Sequence, residues 1–237
     1  MKIALIGMGK MGRIIESLAK EMDHEVIATI DAPEADLGAL ELSERLAGAD
    51  VTIDFSTTGA VLRNTAACVA AGVPLVEGTT GWNDERDKIE RIVREGDGSF
   101  VYGANFSIGV NLFYRIVDHA SELFSRFAEY EVFIEEQHHS RKKDAPSGTA
   151  LKLKEIVSKH IGAEFSLSST RAGNIPGTHR VGFDGPADQI LLEHIARSRK
   201  GFAAGALMAA GWIVGKQGFY EFTEVMDEVL KRDAETR

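Results

Sequence analysis

The chain has 237 residues, 44% of them hydrophobic and 27% charged, with a formal net charge of −9. That balance gives one large or two small globular domains with enough apolar material for a core, without a disulfide or metal staple. The acidic surplus argues against a nucleic-acid partner, no apolar run reaches the ~18–20 residues of a membrane span, and an anionic substrate would need a locally basic pocket.

Met1-Lys2 leads at once into an apolar run over 2–6 that stops at Gly7, a buried-strand pattern with none of the regions of a secretory leader. Residues 11–21 form the next predicted element, a helix whose apolar face carries Ile14, Ile15, Leu18 and the following Met22. Strands are predicted at 25–30, ending on Asp31, and then at 51–55, 74–76 and 100–102. Between them lie an Ala-rich helix running from Ser56-Thr57-Thr58 through residue 71 and a helix over 83–94. Cys68, the single cysteine, falls in the apolar run of the first of these and reads as a buried helix residue. A lone thiol suits a reducing compartment, so the cytoplasm is the expected location. Strands alternating with helices imply βαβ units, so residues 1–105 read as a Rossmann-like, doubly wound parallel sheet.

The pattern then changes. A helix over 108–124 is followed by a strand over 129–136, a polar basic loop and a helix over 147–160. Strands near 180–183 and 190–196 complete an expected α+β domain on a mixed or antiparallel sheet, and 203–214 and 219–230 are helical by pattern.

Gly7-Met8-Gly9-Lys10-Met11-Gly12 is G-x-G-x-x-G between a strand and a helix, the context in which the pattern means a dinucleotide site. Glycines permit a tight turn and close approach to a pyrophosphate, and the helix N-terminus offers free N–H groups. Asp31, at the end of the next strand, is placed to hydrogen-bond a ribose 2′-hydroxyl. Ala32 follows it, with no arginine alongside to receive a 2′-phosphate. This favours NADH over NADPH, although Lys10 or Arg13 could serve a phosphate. Gly78-Thr79-Thr80-Gly81 and Ala104-Asn105-Phe106 also follow strand ends, where they either flank the cofactor or serve only as turns and caps. Ser56-Thr57-Thr58 is most simply an N-cap cluster.

The segment from Glu135 to Ala150 supplies the cationic cluster that the acidic chain needs: His138, His139, Arg141, Lys142 and Lys143 fall together. Such a cluster suits a small dicarboxylate. A histidine exchanges protons near neutrality, and a lysine among cations can act as an acid. Ser147-Gly148-Thr149 opens a helix and can hold a carboxylate. Adjacent strand residues face opposite ways, so His138 and His139 share a site only if the strand ends there. Two neighbouring histidines alone make a poor zinc pattern, and no metal is expected. His24, His119, His160 and His194 read as surface or structural, while His179, in a glycine-containing loop, fits a plain turn as well as a ligand contact.

The run His138-His139-x-x-Lys142-x-Asp144-Ala145-Pro146-Ser147-Gly148-Thr149-Ala150 resembles the signature of the 4-hydroxy-tetrahydrodipicolinate reductase family. Gly7 to Gly12, Asp54-Phe55-Ser56, Gly78 to Gly81, the stretch from Ala104 to Asn111, and Arg171-x-Gly173 through His179 support the resemblance, in order, over nearly the whole chain. The resemblance implies hydride transfer from NADH or NADPH to a cyclic dicarboxylate in lysine biosynthesis through diaminopimelate. It implies His138 as proton donor and acceptor, Lys142 as proton donor, and His139 with Ser147, Gly148 and Thr149 on the substrate carboxylates. Gly7, Met8, Gly9, Lys10, Met11, Gly12, Asp31, Gly78, Thr79, Thr80, Gly103, Ala104, Asn105 and Phe106 would bind the cofactor. It further implies a dinucleotide-binding domain of 1–105 plus about 212–237, a substrate-binding and oligomerisation domain of 106–211, and a homotetramer. The chain departs from many members by a glycine loop one residue shorter, by Thr58 in place of proline, and by a brief stretch between Asp31 and Val51. Two alternatives remain at this point: an aspartate dehydrogenase-like oxidoreductase, and a non-catalytic dinucleotide sensor.

Overall fold

The computed structural model describes residues 1–31 and 37–235, so Ala32, on which the cofactor argument drew, lies outside the described residues. The chain folds into two compact units, one formed by residues 1–107 with the chain from Arg199 onward, the other by Ile108–Ser198.

The first unit is built on strands β1 (Lys2–Ile6), β2 (Glu25–Ile30), β3 (Val51–Asp54), β4 (Leu75–Glu77), β5 (Ser99–Tyr102) and β10 (Gly218–Glu221). They form one six-stranded sheet in the order β10-β5-β4-β3-β1-β2, and every pairing in it is parallel. Four of the five β1 residues and all of β3 and β4 are buried, which is why these strands read as continuous apolar runs rather than alternating ones. Strand order reverses between β1 and β3, and in such sheets the crevice beyond the carboxyl ends at that point takes the ligand.

Helices α1 (Lys10–Glu21), α2 (Ala39–Leu46), α3 (Val61–Ala71) and α4 (Arg86–Glu95) connect the strands. Leu42 and Leu46 on α2 join a core with Cys68, Leu75, Ile89, Val93 and Phe100. Helix α2 has no counterpart among the sequence expectations.

The carboxy-terminal third departs from expectation twice. Helix α7 (Lys200–Ile213) packs on α1 and on β3, β4 and β5. The first unit therefore resumes at Arg199, not near 212 as expected. Small residues allow this packing: Ala203, Ala206, Ala209 and Ala210 are buried, and a Cβ on Gly205 would collide with the Phe106 carbonyl. Residues 218–221 are then a strand, not the start of a helix; α8 (Phe222–Glu235) begins only after it. Pairing with β5 overrides the local pattern, and the Phe219 ring stacks on Phe100 with centroids 4.9 Å apart.

The second unit contains strands β6 (Glu131–His138), β7 (Ser166–Arg171), β8 (Thr178–Asp184) and β9 (Gln189–Ile195), with helices α5 (Ile108–Phe124) and α6 (Gly148–Ser158). Its sheet runs β7-β6-β8-β9; β6 and β7 are parallel and the other pairs antiparallel, the mixed sheet that was expected. Strand β7, Ser-Leu-Ser-Ser-Thr-Arg, is not visible in the hydrophobic pattern because it holds a single leucine. On β6 the alternate residues Val132, Ile134, Glu136 and His138 are buried. The first two join Phe113, Val117, Leu153, Val181 and Phe183 in the core. The same strand face thus passes from hydrocarbon to a carboxylate and an imidazole over its last two inward positions.

Candidate active site

The glycine loop after β1 has the shape a phosphate needs. Gly7 holds φ +85°, a left-handed conformation, and a Cβ there would collide with the Phe55 carbonyl. A Cβ on Gly12 would collide with the Gly7 carbonyl, so Gly12 lets α1 start against the loop. Gly9, the N-cap of α1, has nothing within 4 Å of an added Cβ. Gly7 and Gly12 therefore shape the loop, and Gly9 keeps its outer face open. The Met8 N–H donates to Asp31 Oδ1 at 3.3 Å, placing that carboxylate at the mouth of the loop.

Gly9, Lys10 and Met11 line a cavity of about 560 Å³ together with Phe55 to Thr58 and Gly78 to Thr80, within the ~300–1,000 Å³ of small-molecule sites. The threonine loop thus shares a cavity with the glycine loop. The 103–106 stretch plays a more internal part. Phe106 is buried against Phe222 and Phe55, with ring centroids at 4.7 and 6.1 Å. The Asn105 side chain accepts the Ser107 N–H at 2.8 Å, the turn chemistry that was the other reading.

Beneath the cavity lie two acids that sequence reasoning did not single out as a pair. Asp54 and Glu77 end adjacent strands as register partners, and both are fully buried. Asp54 accepts from the Ser56 N–H at 2.8 Å and the Asn64 amide at 2.6 Å; Glu77 accepts from the Thr79 N–H at 2.7 Å. Each carboxylate therefore ties down one of the two loops lining the cavity. Burial raises the pKa of Asp54 against those hydrogen bonds. Burial and then the neighbouring Asp54 charge push Glu77 well above the carboxylate range, because two adjacent buried acids disfavour a second negative charge.

In the second unit His138 is the last residue of β6 and His139 follows just outside the strand. His138 is buried, while His139 is half-buried and its Nδ1 has no hydrogen-bond partner among the described residues. Lys142 ion-pairs with Asp144 at 2.8 Å, so a carboxylate balances the ammonium that the sequence had placed among cations. Ser147 caps α6, its Oγ accepting the Ala150 N–H at 3.2 Å. An added Cβ on Gly148 would meet nothing within 4 Å, so the helix N-terminus is open to an anion. Thr149 hydrogen-bonds the Tyr114 phenol, whose pKa burial pushes up to about 12.

Three further residues complete this cluster. Glu136 is 1% exposed. Its Oε1 accepts from the Ser147 N–H at 3.0 Å, Ser169 Oγ at 2.7 Å and Arg171 Nη2 at 2.6 Å. Burial would raise its pKa, but these donors outweigh it and bring the carboxyl down to about 2. Its Oε2 lies 2.9 Å from His138 Nδ1 and 3.9 Å from His179 Nε2. The shorter approach is off the ring N–H direction, a contact between charge and ring rather than an aligned hydrogen bond. His179 is the register partner of Glu136 on β8 and is buried, with its Nε2 3.3 Å from Ser147 Oγ. Burial, then His138, bring its pKa down to about 4. Burial also lowers His138, with Glu136 opposing and Lys142 and Arg171 reinforcing. Glu136, His138 and His179 bring metal-ligating atom types within 4.8 Å of one another. Arg171, however, already places a cation on the same carboxylate. Arg171 had appeared only as part of a glycine-containing stretch, and His179, left open between a turn and a ligand contact, lies in strand β8.

A parallel sheet with a glycine loop at its switch point, joined to a separate sheet bearing a histidine–lysine cluster, defines a two-part nucleotide-dependent oxidoreductase. Similarity to known proteins narrows this. Family models described as dihydrodipicolinate reductase match on both sides, the N-terminal one over residues 1–106 and the C-terminal one over 109–226. A 4-hydroxy-tetrahydrodipicolinate reductase of Christiangramia forsetii is 36% identical over 98% of this chain and 100% of its own length. That of Methanosarcina barkeri is 36% identical over 96% of this chain and 98% of its own. The fold is shared with dipicolinate-bound dihydrodipicolinate reductase from Paenisporosarcina sp. TG-14, with a TM-score of 0.78 at 22% identity over 94% of this chain and 99% of that one. The chain belongs to the dihydrodipicolinate reductase family.

Proposed function

We infer that this chain reduces 4-hydroxy-tetrahydrodipicolinate to tetrahydrodipicolinate and water with NADH or NADPH, a step of lysine biosynthesis through diaminopimelate. The observation that carries this reading is full-length kinship with the curated reductases together with one cluster around Glu136 that gathers His138, Arg171, His179 and Ser147. The first unit is the dinucleotide-binding domain and the second binds substrate.

The nicotinamide, when bound, supplies the hydride. Gly7, Met8, Gly9, Lys10, Met11 and Gly12 would hold the pyrophosphate, Asp31 the ribose hydroxyls, and Gly78, Thr79, Thr80 and the backbone of Gly103 to Phe106 the remaining edge. Open space over Gly9 supports this assignment, and the carboxylate at the loop mouth favours NADH.

In the second unit the N–H groups of α6 at Ser147, Gly148 and Thr149 bind one substrate carboxylate, and His139 the other. Lys142 carries the proton delivered to the substrate. His138, readily neutral because of its burial, exchanges it. Localisation in the cytoplasm and assembly into a homotetramer through the second unit's sheet complete the proposal. Exposed Leu191 and Ile195, which share one face of β9, support the latter, since such an interface would bury them.

The test is an absorbance assay with substrate generated in situ and each cofactor in turn. Oxidation of NADH, faster than of NADPH, is expected. A protein that binds either nucleotide and oxidises neither would refute the reading.

A further inference from the structure

The 139–147 loop carries Lys142 and the start of α6, yet it is largely exposed and polar. A reacting ammonium on such a loop needs an anchor, because misplacement by about 1 Å costs roughly a hundredfold in rate. Packing does not fix the lysine's neighbours: Arg141, Lys143 and Asp144 are all exposed. What holds the loop lies underneath it.

The buried Glu136 carboxylate receives the Ser147 N–H at 3.0 Å, which fixes the loop's far end. It also receives Arg171 Nη2 at 2.6 Å. The same Nη2 donates to the Asp144 carbonyl at 2.6 Å, fixing the loop's middle. The Asp144 carboxylate accepts from Lys142 Nζ at 2.9 Å. A continuous chain of hydrogen bonds thus runs from a fully buried strand carboxylate, through one guanidinium, to the ammonium. Register explains how Arg171 comes to be there: it is the parallel partner of His138 on β7, one inward position beyond Ser169, the partner of Glu136. One planar nitrogen holds both acceptors while Nη1 of the same guanidinium donates to the Thr170 carbonyl at 2.9 Å and fixes the plane; a lysine ammonium could reach two acceptors but sits on a flexible stem without that third tie.

We propose that the Glu136–Arg171 pair is a positioning element for the reaction, acting through Asp144 and Ser147 to set Lys142 and the anion-binding start of α6. The inference rests on the reading of Lys142 as proton donor, and two independent readouts keep the two apart.

The charged and titratable groups facing this relay are Lys142 and Asp144 on the loop, His138 on β6 and His179 on β8. Four proteins are compared: wild type, Arg171→Lys, Lys142→Ala and the double variant. Arg171→Lys is expected to lower kcat about ten- to a hundredfold with NADH affinity unchanged. In the Lys142→Ala background the same change should add almost nothing to the loss in kcat, since the lysine it positions is gone, while any rise in substrate KM from a loosened start of α6 should persist. The second readout is amide hydrogen exchange at Ser147, expected to speed up about tenfold or more in Arg171→Lys. Asp144→Asn, a change at an exposed side chain, covers the case in which Arg171→Lys does not fold; it too should lower kcat in wild type and not in Lys142→Ala.

Full turnover in Lys142→Ala would sink the proton-donor reading while leaving the exchange result to judge the relay. Multiplicative losses of kcat in the double variant, or unchanged Ser147 exchange in Arg171→Lys, would overturn the relay itself.

Discussion

Replacing Gly9 and Gly12 separately by alanine distinguishes a glycine that shapes the loop from one that leaves room for a ligand. Gly9 has φ −70° and ψ −159°, an extended conformation that alanine adopts freely, and an added methyl would touch nothing within 4 Å. The cost to the free protein is a poorer N-cap, at most about 1 kcal/mol, or roughly 2–4 °C in Tm for a domain of this size. Gly12→Ala instead drives a methyl into the Gly7 carbonyl, with the Gly7 carbonyl carbon 3.1 Å away. Backbone cannot step aside as a side-chain tip can, so overpacking of about 1–3 kcal/mol is expected. For the ligand the two should converge. A methyl at Gly9 keeps a phosphate from reaching the loop, and each charge-assisted hydrogen bond lost is worth about 1.5–3 kcal/mol, so Kd rises by about tenfold or more. Scanning calorimetry of the free proteins and fluorescence titration with NADH read the two effects. A Gly9→Ala protein that melts like wild type and binds NADH more weakly fits the reasoning; one that binds NADH as tightly as wild type refutes the placement of the pyrophosphate.

Lys142→Ala should lower kcat by about 10²–10⁴-fold, the usual worth of a positioned proton donor, with NADH Kd unchanged; steady-state kinetics and titration check both. Phe183→Ala removes a fully buried ring stacked on Phe124 with centroids 4.3 Å apart and should cost about 3–5 kcal/mol in urea unfolding; a loss below about 1 kcal/mol would contradict the assignment of this ring to the core. Stability should also fall on the acid side. Glu136, brought to about 2, contributes stability that is present above the ordinary carboxylate range and lost as pH drops toward 2. His179, brought down to about 4, contributes stability that is full above the ordinary histidine range and lost as pH drops toward 4. Glu77 has the opposite sign, because its raised pKa means the folded state holds a proton the unfolded chain releases; its contribution declines as pH rises above the ordinary carboxylate range. Glu77→Gln should therefore gain on wild type as pH rises above the ordinary carboxylate range, and parallel Tm profiles would show that the carboxyl does not hold its proton.

Local chemistry was legible in the sequence where one short segment carries it. The G-x-G-x-x-G loop announces its turn because Gly7 and Gly12 are demanded by contacts within the loop and with the neighbouring strand end. Buried parallel strands such as β1 and β3 declare themselves as unbroken apolar runs. What the pattern hides depends on pairing between distant segments. Strand β7 has almost no hydrophobic signal, yet it brings Ser169 and Arg171 onto Glu136, 33 and 35 residues away. Strand β10 is held by β5, more than a hundred positions earlier, and its few residues resemble the helix that follows. The Asp54–Glu77 pair likewise arises only from sheet register. Thus the glycines, histidines and lysine could be named from the sequence, but the acids that organise the loops around them could not.

The most direct test uses NADH carrying deuterium at C4 of the nicotinamide ring, in separate preparations for its two faces, with 4-hydroxy-tetrahydrodipicolinate generated in situ. Mass spectrometry of the product should show a deuterium transferred to tetrahydrodipicolinate from one of the two preparations, in step with the loss of NADH absorbance. Absence of label from the product with both preparations, or no NADH oxidation while the nucleotide binds, would contradict the assignment of this chain as a hydride-transferring reductase.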